Sequence, residues 1–307
     1  MKQKLDIAQL WNESLEQERY EVKERNFINA SDIGKSMLDR FYKMKGIPET
    51  NPYDYRVLRI FAAGNEFHYL LKKVFEKIGI LIDSEQRVEI PAVEKTLKIV
   101  GYYDLKLGGK INTEQAEKRI KEYEFSSYVE QKALRLAHYF KEKYPQGFEP
   151  TICEIKSVHS NAFWSKKYYL AEAYPWWKLQ IYTYLKALNI SEGRLFCISK
   201  DDLSLIEYII RYPDKILEEK WVKDVEAISN YYLKNIEPPK EPEIIFNKTK
   251  KKYVINWMLA RSPYFTKITG FTDTEVWGEE LKEKIKQLNK SEKVEQNNLN
   301  LNQSKKK

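Results

Sequence analysis

Apolar positions recur along this chain at two spacings. Short runs rich in β-branched and aromatic residues, "KTLKIVGYYDLKL" (95–107), "TICEIKSV" (151–158), "GRLFCISK" (193–200) and "LSLIEYIIR" (203–211), have the length and composition of strands. "QRVEIPAV" (86–93) precedes the first of them across a charged turn, and Gly108-Gly109 closes the pair, which predicts an antiparallel hairpin. Helical spacing takes over elsewhere. In "AGNEFHYLLKKVFEKIG" (63–79), His68, Leu71, Phe75 and Ile78 share one side and Gly79 supplies the stop. Ser31 is expected to cap a helix that carries Ile33, Met37 and Phe41 on one face until Gly46 and Pro48 end it. "AYPWWKLQIYTYLKALN" (173–189) has Pro175 in its first turn, and 214–236 forms a further amphipathic helix ended by Pro238-Pro239. The alternation predicts an α/β protein whose mixed sheet is flanked by helices.

The same pattern divides the chain. Leu5, Leu10 and Leu15 mark residues 1–30 as an amphipathic N-terminal arm. The core runs over 31–239 and is interrupted at about 109–150 by a charged, helical insertion between strands. A basic and aromatic C-terminal extension covers 240–278. The stretch 279–307 lacks aromatics and is dominated by Lys, Glu and Asn, so a disordered tail is expected there. No apolar run approaches membrane-spanning length, and the first 26 residues contain no signal core. Both features predict a cytoplasmic protein without a membrane partner. Cys153 and Cys197 lie in apolar runs, too few for a disulfide framework or a four-thiolate centre, and read as buried thiols.

Charge narrows the range of partners. Fifty-three basic residues against 45 acidic ones leave a formal charge of +8, which suits a polyanion without identifying one. No GxxxxGK[ST] or GxGxxG element is present, so a nucleotide-binding loop is not supported. The chemistry concentrates in "TICEIKSV". Successive strand residues alternate faces, so Glu154 and Lys156 share one face while Cys153 and Ile155 take the other. Burying both charges costs several kcal/mol unless something compensates. A divalent cation would do so, with a second carboxylate from a neighbouring strand. Asp104 meets that need: it stands mid-strand among apolar residues, where an acid is otherwise disfavoured. Asp104, Glu154 and the backbone carbonyl of Ile155 make a minimal oxygen site for Mg²⁺ or Mn²⁺. Lys156 beside them is suited to activating a water or neutralising charge on a phosphate.

In this arrangement the chain resembles the PD-(D/E)xK nuclease superfamily, and more closely its RecB-like branch, which includes CRISPR-associated exonucleases. Four signals of that branch occur in order: G-x-x-x-H at Gly64–His68, G-x-x-D at Gly101–Asp104, E-x-K at Glu154–Lys156, and Q-x-x-x-Y at Gln180–Tyr184. The resemblance spans about Ser31 to Pro239. It implies a restriction-endonuclease-like core, a metal site that His68 completes beside Asp104, Glu154 and the Ile155 carbonyl, and catalysis by Asp104, Glu154 and Lys156. It further implies that Gln180 and Tyr184 position a DNA strand. The implied activity is Mg²⁺- or Mn²⁺-dependent hydrolysis of DNA to 5′-phosphate and 3′-hydroxyl ends. An exonuclease is the first expectation; a structure- or site-selective endonuclease and a catalytically silent nucleic-acid-binding scaffold are the alternatives.

The chain departs from the branch at three places. Tyr103 stands where the superfamily name has proline. Fifty positions separate Asp104 from Glu154, which makes the insertion, like the C-terminal extension, a place for DNA or a protein partner. Many relatives hold an iron–sulfur cluster by one early and three late cysteines. Here Ser36 falls near the early position and "INWMLARSPYFTKITG" has none, so no cluster is expected, and Trp257, Tyr264, Phe265 and Phe271 are expected to secure the extension by packing.

Each residue taken alone has a plainer explanation. His68 could be a core histidine, Asp104 a turn acid, the Glu154–Lys156 pair an exposed edge pair worth less than about 1 kcal/mol, and Gln180 and Tyr184 ordinary helix positions. His138 and His159 have no evident partner. The aromatics Tyr168, Tyr169, Tyr174, Trp176, Trp177 and Tyr182 suit core packing, with one or two left for stacking on bases.

Overall fold

The computed structural model describes residues 6–19, 21–123, 127–166, 169–247 and 251–304. Asp6 accepts from the Gln9 amide and starts α1 (Ile7–Gln17), whose Leu15 is buried. A short strand β1 (Phe27–Asn29) runs into a 3₁₀ turn over Ala30–Asp32. The helix that follows, α2 (Met37–Met44), is capped by Ser36, whose hydroxyl accepts from the Asp39 amide, and not by Ser31 as the sequence suggested. Gly34, with φ +81°, turns the chain between the two. The long α3 (Tyr55–Ile78) starts at the Asp54 cap and stops at Gly79 in the left-handed region.

Strands β2 (Leu81–Ser84), β3 (Arg87–Ile90), β4 (Lys98–Tyr102) and β5 (Leu105–Gly109) come next. The expected single strand over 95–107 is therefore two. β4 pairs with β3 and β1, β5 pairs with β2, and the chain changes sheet at Tyr103-Asp104. Asp104 is thus at a corner between sheets and not mid-strand. The corner is held by the Tyr103 hydroxyl, which donates to Asp83 at 2.6 Å, and by the Glu85 amide, which donates to the Asp104 carbonyl at 3.1 Å.

The insertion supplies α4 (Thr113–Glu122) and α5 (Ser127–Lys143). Tyr123, just past α4, donates to the buried Glu76 of α3. Then come β6 (Phe148–Val158), the short helices α6 (Ser160–Ser165) and α7 (Leu170–Ala173), and α8 (Pro175–Leu188) with proline at its first turn. Strands β7 (Glu192–Ser199) and β8 (Leu205–Arg211) and helix α9 (Lys215–Leu233) follow. The main sheet has the order β2-β5-β6-β7-β8, antiparallel throughout except for the parallel pair β6–β7. β6 is therefore central. On one face Cys153 and Ile155 pack with Leu71, Leu105, Leu107, Phe196 and Ile198, and with Phe67 and Phe75 of α3. α8 covers the other face. Both cysteines are buried and free.

By its contacts the chain forms two units, one of Met1–Arg19, Asn26–Lys35 and Asp54–Asn230, the other of Tyr20–Arg25, Ser36–Tyr53 and Tyr231–Lys307. The second unit contains α2, the antiparallel pair β9 (Ile244–Asn247) and β10 (Lys252–Ile255), and helices α10 (Trp257–Ala260), α11 (Phe265–Thr269) and α12 (Thr274–Ser304). The expected extension thus joins residues 36–53 in one packed body. Tyr264 is buried against Tyr42 and donates to the Ile47 carbonyl at 3.0 Å, while Phe265 meets Trp277 edge-on at 5.4 Å. The Trp257 side chain and Tyr168 lie outside the described residues.

The disordered tail expected from residue 279 is corrected at its start. Leu281 of α12 is buried, and Asn289 exchanges two hydrogen bonds with the Tyr253 backbone of β10. Tertiary burial, which composition does not register, holds this polar helix. Leu281→Ala is expected to cost about 2–5 kcal/mol in urea unfolding, whereas a residue in a free tail would change stability by less than about 0.5 kcal/mol.

Candidate active site

The site is built where β6 runs past the end of β5. Pairing with β5 stops at Cys153 opposite Leu105, so from Glu154 onward β6 is paired only with β7. The bared edge is taken by Asp104, whose Oδ2 accepts from the Ile155 amide at 2.6 Å. In a strand the N–H and C=O of one residue project to the same edge, which puts the Ile155 carbonyl on the side of Asp104. From α3, His68 Nδ1 comes to 3.5 Å from Asp104 Oδ1. Ile155 itself is buried in the core, and this anchors the backbone to which Asp104 bonds.

Glu154 and Lys156 face α8. Lys156 Nζ donates to Glu154 Oε1 at 2.5 Å and to Gln180 Oε1 at 3.1 Å. Gln180 Nε2 donates to the same Glu154 oxygen at 2.7 Å and lies 2.9 Å from the Tyr184 hydroxyl. Gln180 and Tyr184, one helical turn apart and both buried, thus hold the carboxylate and the ammonium in place. In this arrangement they act on Glu154 from within the protein, whereas the resemblance assigned them to the DNA strand. Glu154 Oε2 is buried and has no hydrogen-bond partner. The structure therefore brings His68, Asp104, Glu154, Ile155, Lys156, Gln180 and Tyr184 into one connected network. His138 and His159 are not part of it; His159 Nδ1 accepts from the Asn161 amide at the start of α6.

Two glycines of the four motifs have different physical reasons. A Cβ at Gly101 would stand 2.6 Å from Ala30 Cβ and 2.7 Å from Tyr184 Cε1, so only glycine lets β4 accept the tyrosine ring that supports Gln180. A Cβ at Gly64 would meet only Ser157 Oγ at 3.6 Å, an ordinary contact. Sequence reasoning missed Glu85. It sits in the turn between β2 and β3 with φ +54° and lines a cavity of about 450 Å³ with Asn65, Glu66, His68, Tyr69, Lys72, Asp104 and Leu105. "DSEQR" reads as an ordinary polar turn, and only the corner at Asp104 brings its glutamate to the site.

Electrostatics follow from burial. Burial, and after it the Asp104 charge, push the Glu154 carboxyl up to about 7 against the pull of Lys156 and His68. Burial likewise lifts Asp104, to about 6, while Lys156 and the Ile155 amide favour its ionised form and Glu85 opposes it. Burial works against the Lys156 ammonium, but Glu154 and Asp104 together outweigh it and hold the group above its usual value. His68 is lowered by burial despite the Glu154 charge, which leaves a neutral imidazole at neutral pH. Among the described residues, no three His, Cys, Asp or Glu side chains are grouped so that one ion could be held by all of them.

No family model matches this chain, and no curated protein matches it. Among solved structures, the crystal structure of SSO0001 is similar with a TM-score of 0.48 and 18% identity, over 88% of this chain and 98% of that one. The class that the fold itself defines is an α/β protein with mixed sheets flanked by helices. No helix among the described residues is long and apolar enough to cross a membrane.

The raised carboxyls give the metal-free protein a pH signature. Asp104 and Glu154 bind protons more tightly folded than in the unfolded chain, where carboxylates titrate near 4. Between about pH 4 and 7 these two groups therefore hold more protons in the folded state, and their contribution to stability falls as pH rises, by several kcal/mol at most, with the lowered His68 working in the opposite direction. Urea midpoints across that window should show the decline, and Glu154→Gln should flatten it. Gly101→Ala should cost about 1–3 kcal/mol by overpacking, while Gly64→Ala should leave stability equal or raise it by about 0.5–1 kcal/mol.

Proposed function

We propose that this protein is a Mg²⁺- or Mn²⁺-dependent deoxyribonuclease of the RecB-like PD-(D/E)xK type, with a restriction-endonuclease-like core and exonuclease action as its first reading. The observation that carries the proposal is the buried Glu154, with one oxygen held by Lys156 and Gln180 and the other without any partner, close to a second, half-buried carboxylate at Asp104. Loss of solvent pushes both carboxyls toward protonation, and the Asp104 charge adds to it at Glu154, a state that a hard cation reverses.

The donor set fits such an ion. Asp104, Glu154 and the Ile155 carbonyl offer the oxygens that Mg²⁺ and Mn²⁺ prefer, and the neutral His68 imidazole stands beside Asp104. When bound, the ion supplies charge to a scissile phosphate and acidity to a water. The chain's own groups have separate tasks. Lys156, held as an ammonium, keeps a positive charge beside the phosphate as negative charge develops on its oxygens, and its field lowers the pKa of the attacking water. Gln180 fixes the distance between Lys156 and Glu154, and Tyr184 fixes Gln180. The order of the four motifs supports the same reading, as does the net positive charge.

A second reading, a nucleic-acid-binding scaffold without turnover, is favoured by one observation: among the described residues no three His, Cys, Asp or Glu side chains stand together as ligands for one ion. End-labelled single- and double-stranded DNA, incubated with Mg²⁺ or Mn²⁺ and with EDTA as control, separates the two. Metal-dependent loss of label is expected, and Glu154→Ala and Lys156→Ala should each lower the rate by at least about a hundredfold while DNA binding changes little. Parental rates in both variants would remove this site from the reaction. Opening of a circular single strand would replace the exonuclease reading with an endonuclease.

A further inference from the structure

Between Lys156 and Gln180 the chain leaves the site along β6 and comes back to it along α8. The 3.1 Å bond between these two side chains makes everything between them a loop pinned at both ends by the reactive centre. The loop carries large rings that the core does not absorb. Trp164 is 50% exposed and Tyr169 46%. Both are held in place. Trp164 meets the buried Phe163 edge-on at 5.2 Å, and the Tyr169 hydroxyl donates to the Ser165 carbonyl at 3.1 Å, which keeps its ring beside α6. Behind them Tyr174 stacks on Trp177 at 4.3 Å with the planes 27° apart, and Lys166 Nζ lies 3.2 Å from the Tyr174 hydroxyl. In the sequence over 159–178 three lysines, 166, 167 and 178, stand against one acid, Glu172, which pairs with Lys178 at 2.5 Å.

Ordered rings half in water, on a segment whose sequence carries net positive charge, match a ligand that has flat apolar faces and a negative backbone. A paired duplex keeps its base faces inside the stack, whereas an unpaired strand offers them. We propose that Trp164 and Tyr169 form a stacking platform for unpaired bases, and that the substrate meets the site as a single strand. The platform rests on the nuclease reading for its placement beside a reaction. A protein partner docking on the same rings would have no need of the segment's net positive charge.

The test uses the full chain in EDTA, where no turnover occurs, and fluorescence anisotropy with three labelled DNAs of equal length: an ordinary single strand, an abasic single strand and a blunt duplex. Trp164→Ala is expected to weaken the ordinary strand about ten- to a hundredfold, the loss of one stacked base, with less than about twofold change for the abasic strand and the duplex. Trp164→Phe should restore most of the loss. Equal affinity of the parent for ordinary and abasic strands, or unchanged affinity in Trp164→Ala, overturns the platform, and so does an absence of binding to all three DNAs, which would assign the rings to a protein. The platform and the nuclease reading fail separately. Selective binding without any metal-dependent cleavage keeps the platform and removes the nuclease, while cleavage of a strand that the rings do not sense does the reverse.

Discussion

A buried carboxylate with a half-buried ammonium beside it on the central strand of a sheet is the constraint to which the first unit is fitted. Taking two charges out of water costs several kcal/mol each, and mutual attraction recovers this only when the remaining polar atoms find partners. Here the recovery is incomplete by one atom. Gln180 and Lys156 satisfy Glu154 Oε1, Tyr184 orients Gln180, and Gly101 leaves room for the tyrosine ring, yet Oε2 is bare. The opposite face of the same strand is apolar, packed by Cys153 and Ile155 against α3, and provides the stability that the charged face does not.

The corner at Asp104 is the second element of the design. A strand that continued unbroken from β4 would pair along the whole of β6 and cover its edge. Because the chain changes sheet at Tyr103-Asp104, the Ile155 backbone is open on one side and a carboxylate is delivered to it. The same change of sheet brings the β2–β3 turn, with Glu85, to the site, and the approach of α3 adds His68. Four segments distant in sequence thus meet at one strand end.

The second unit is stabilised differently. It has a two-stranded ribbon and mostly short helices, so aromatic burial carries it: Tyr42 against Tyr264, and Phe265 against Trp277. Ser36, near the position where the resemblance would have a cluster cysteine, has a structural task as the cap of α2. Asp39 and Glu241 add polar ties, the first to the Ser262 hydroxyl at 2.5 Å and the second to the Met37 amide at 2.7 Å.

Much of this was legible in the order of residues alone. Period-two and helical patterns located β6, β7, β8, α8 and α9, because each buries one face against a single core, and alternation put Glu154 and Lys156 on the face opposite Cys153 and Ile155. The four short motifs named every side chain of the network, but not Glu85, which lines the cavity beside it. What only the tertiary structure decided is where partners come from: that Asp104 ends a strand, that Gln180 and Tyr184 turn inward to Glu154, and that a polar helix after Thr274 is packed. These depend on contacts between residues tens to hundreds of positions apart, and local periodicity reports which face of an element is buried but not what buries it.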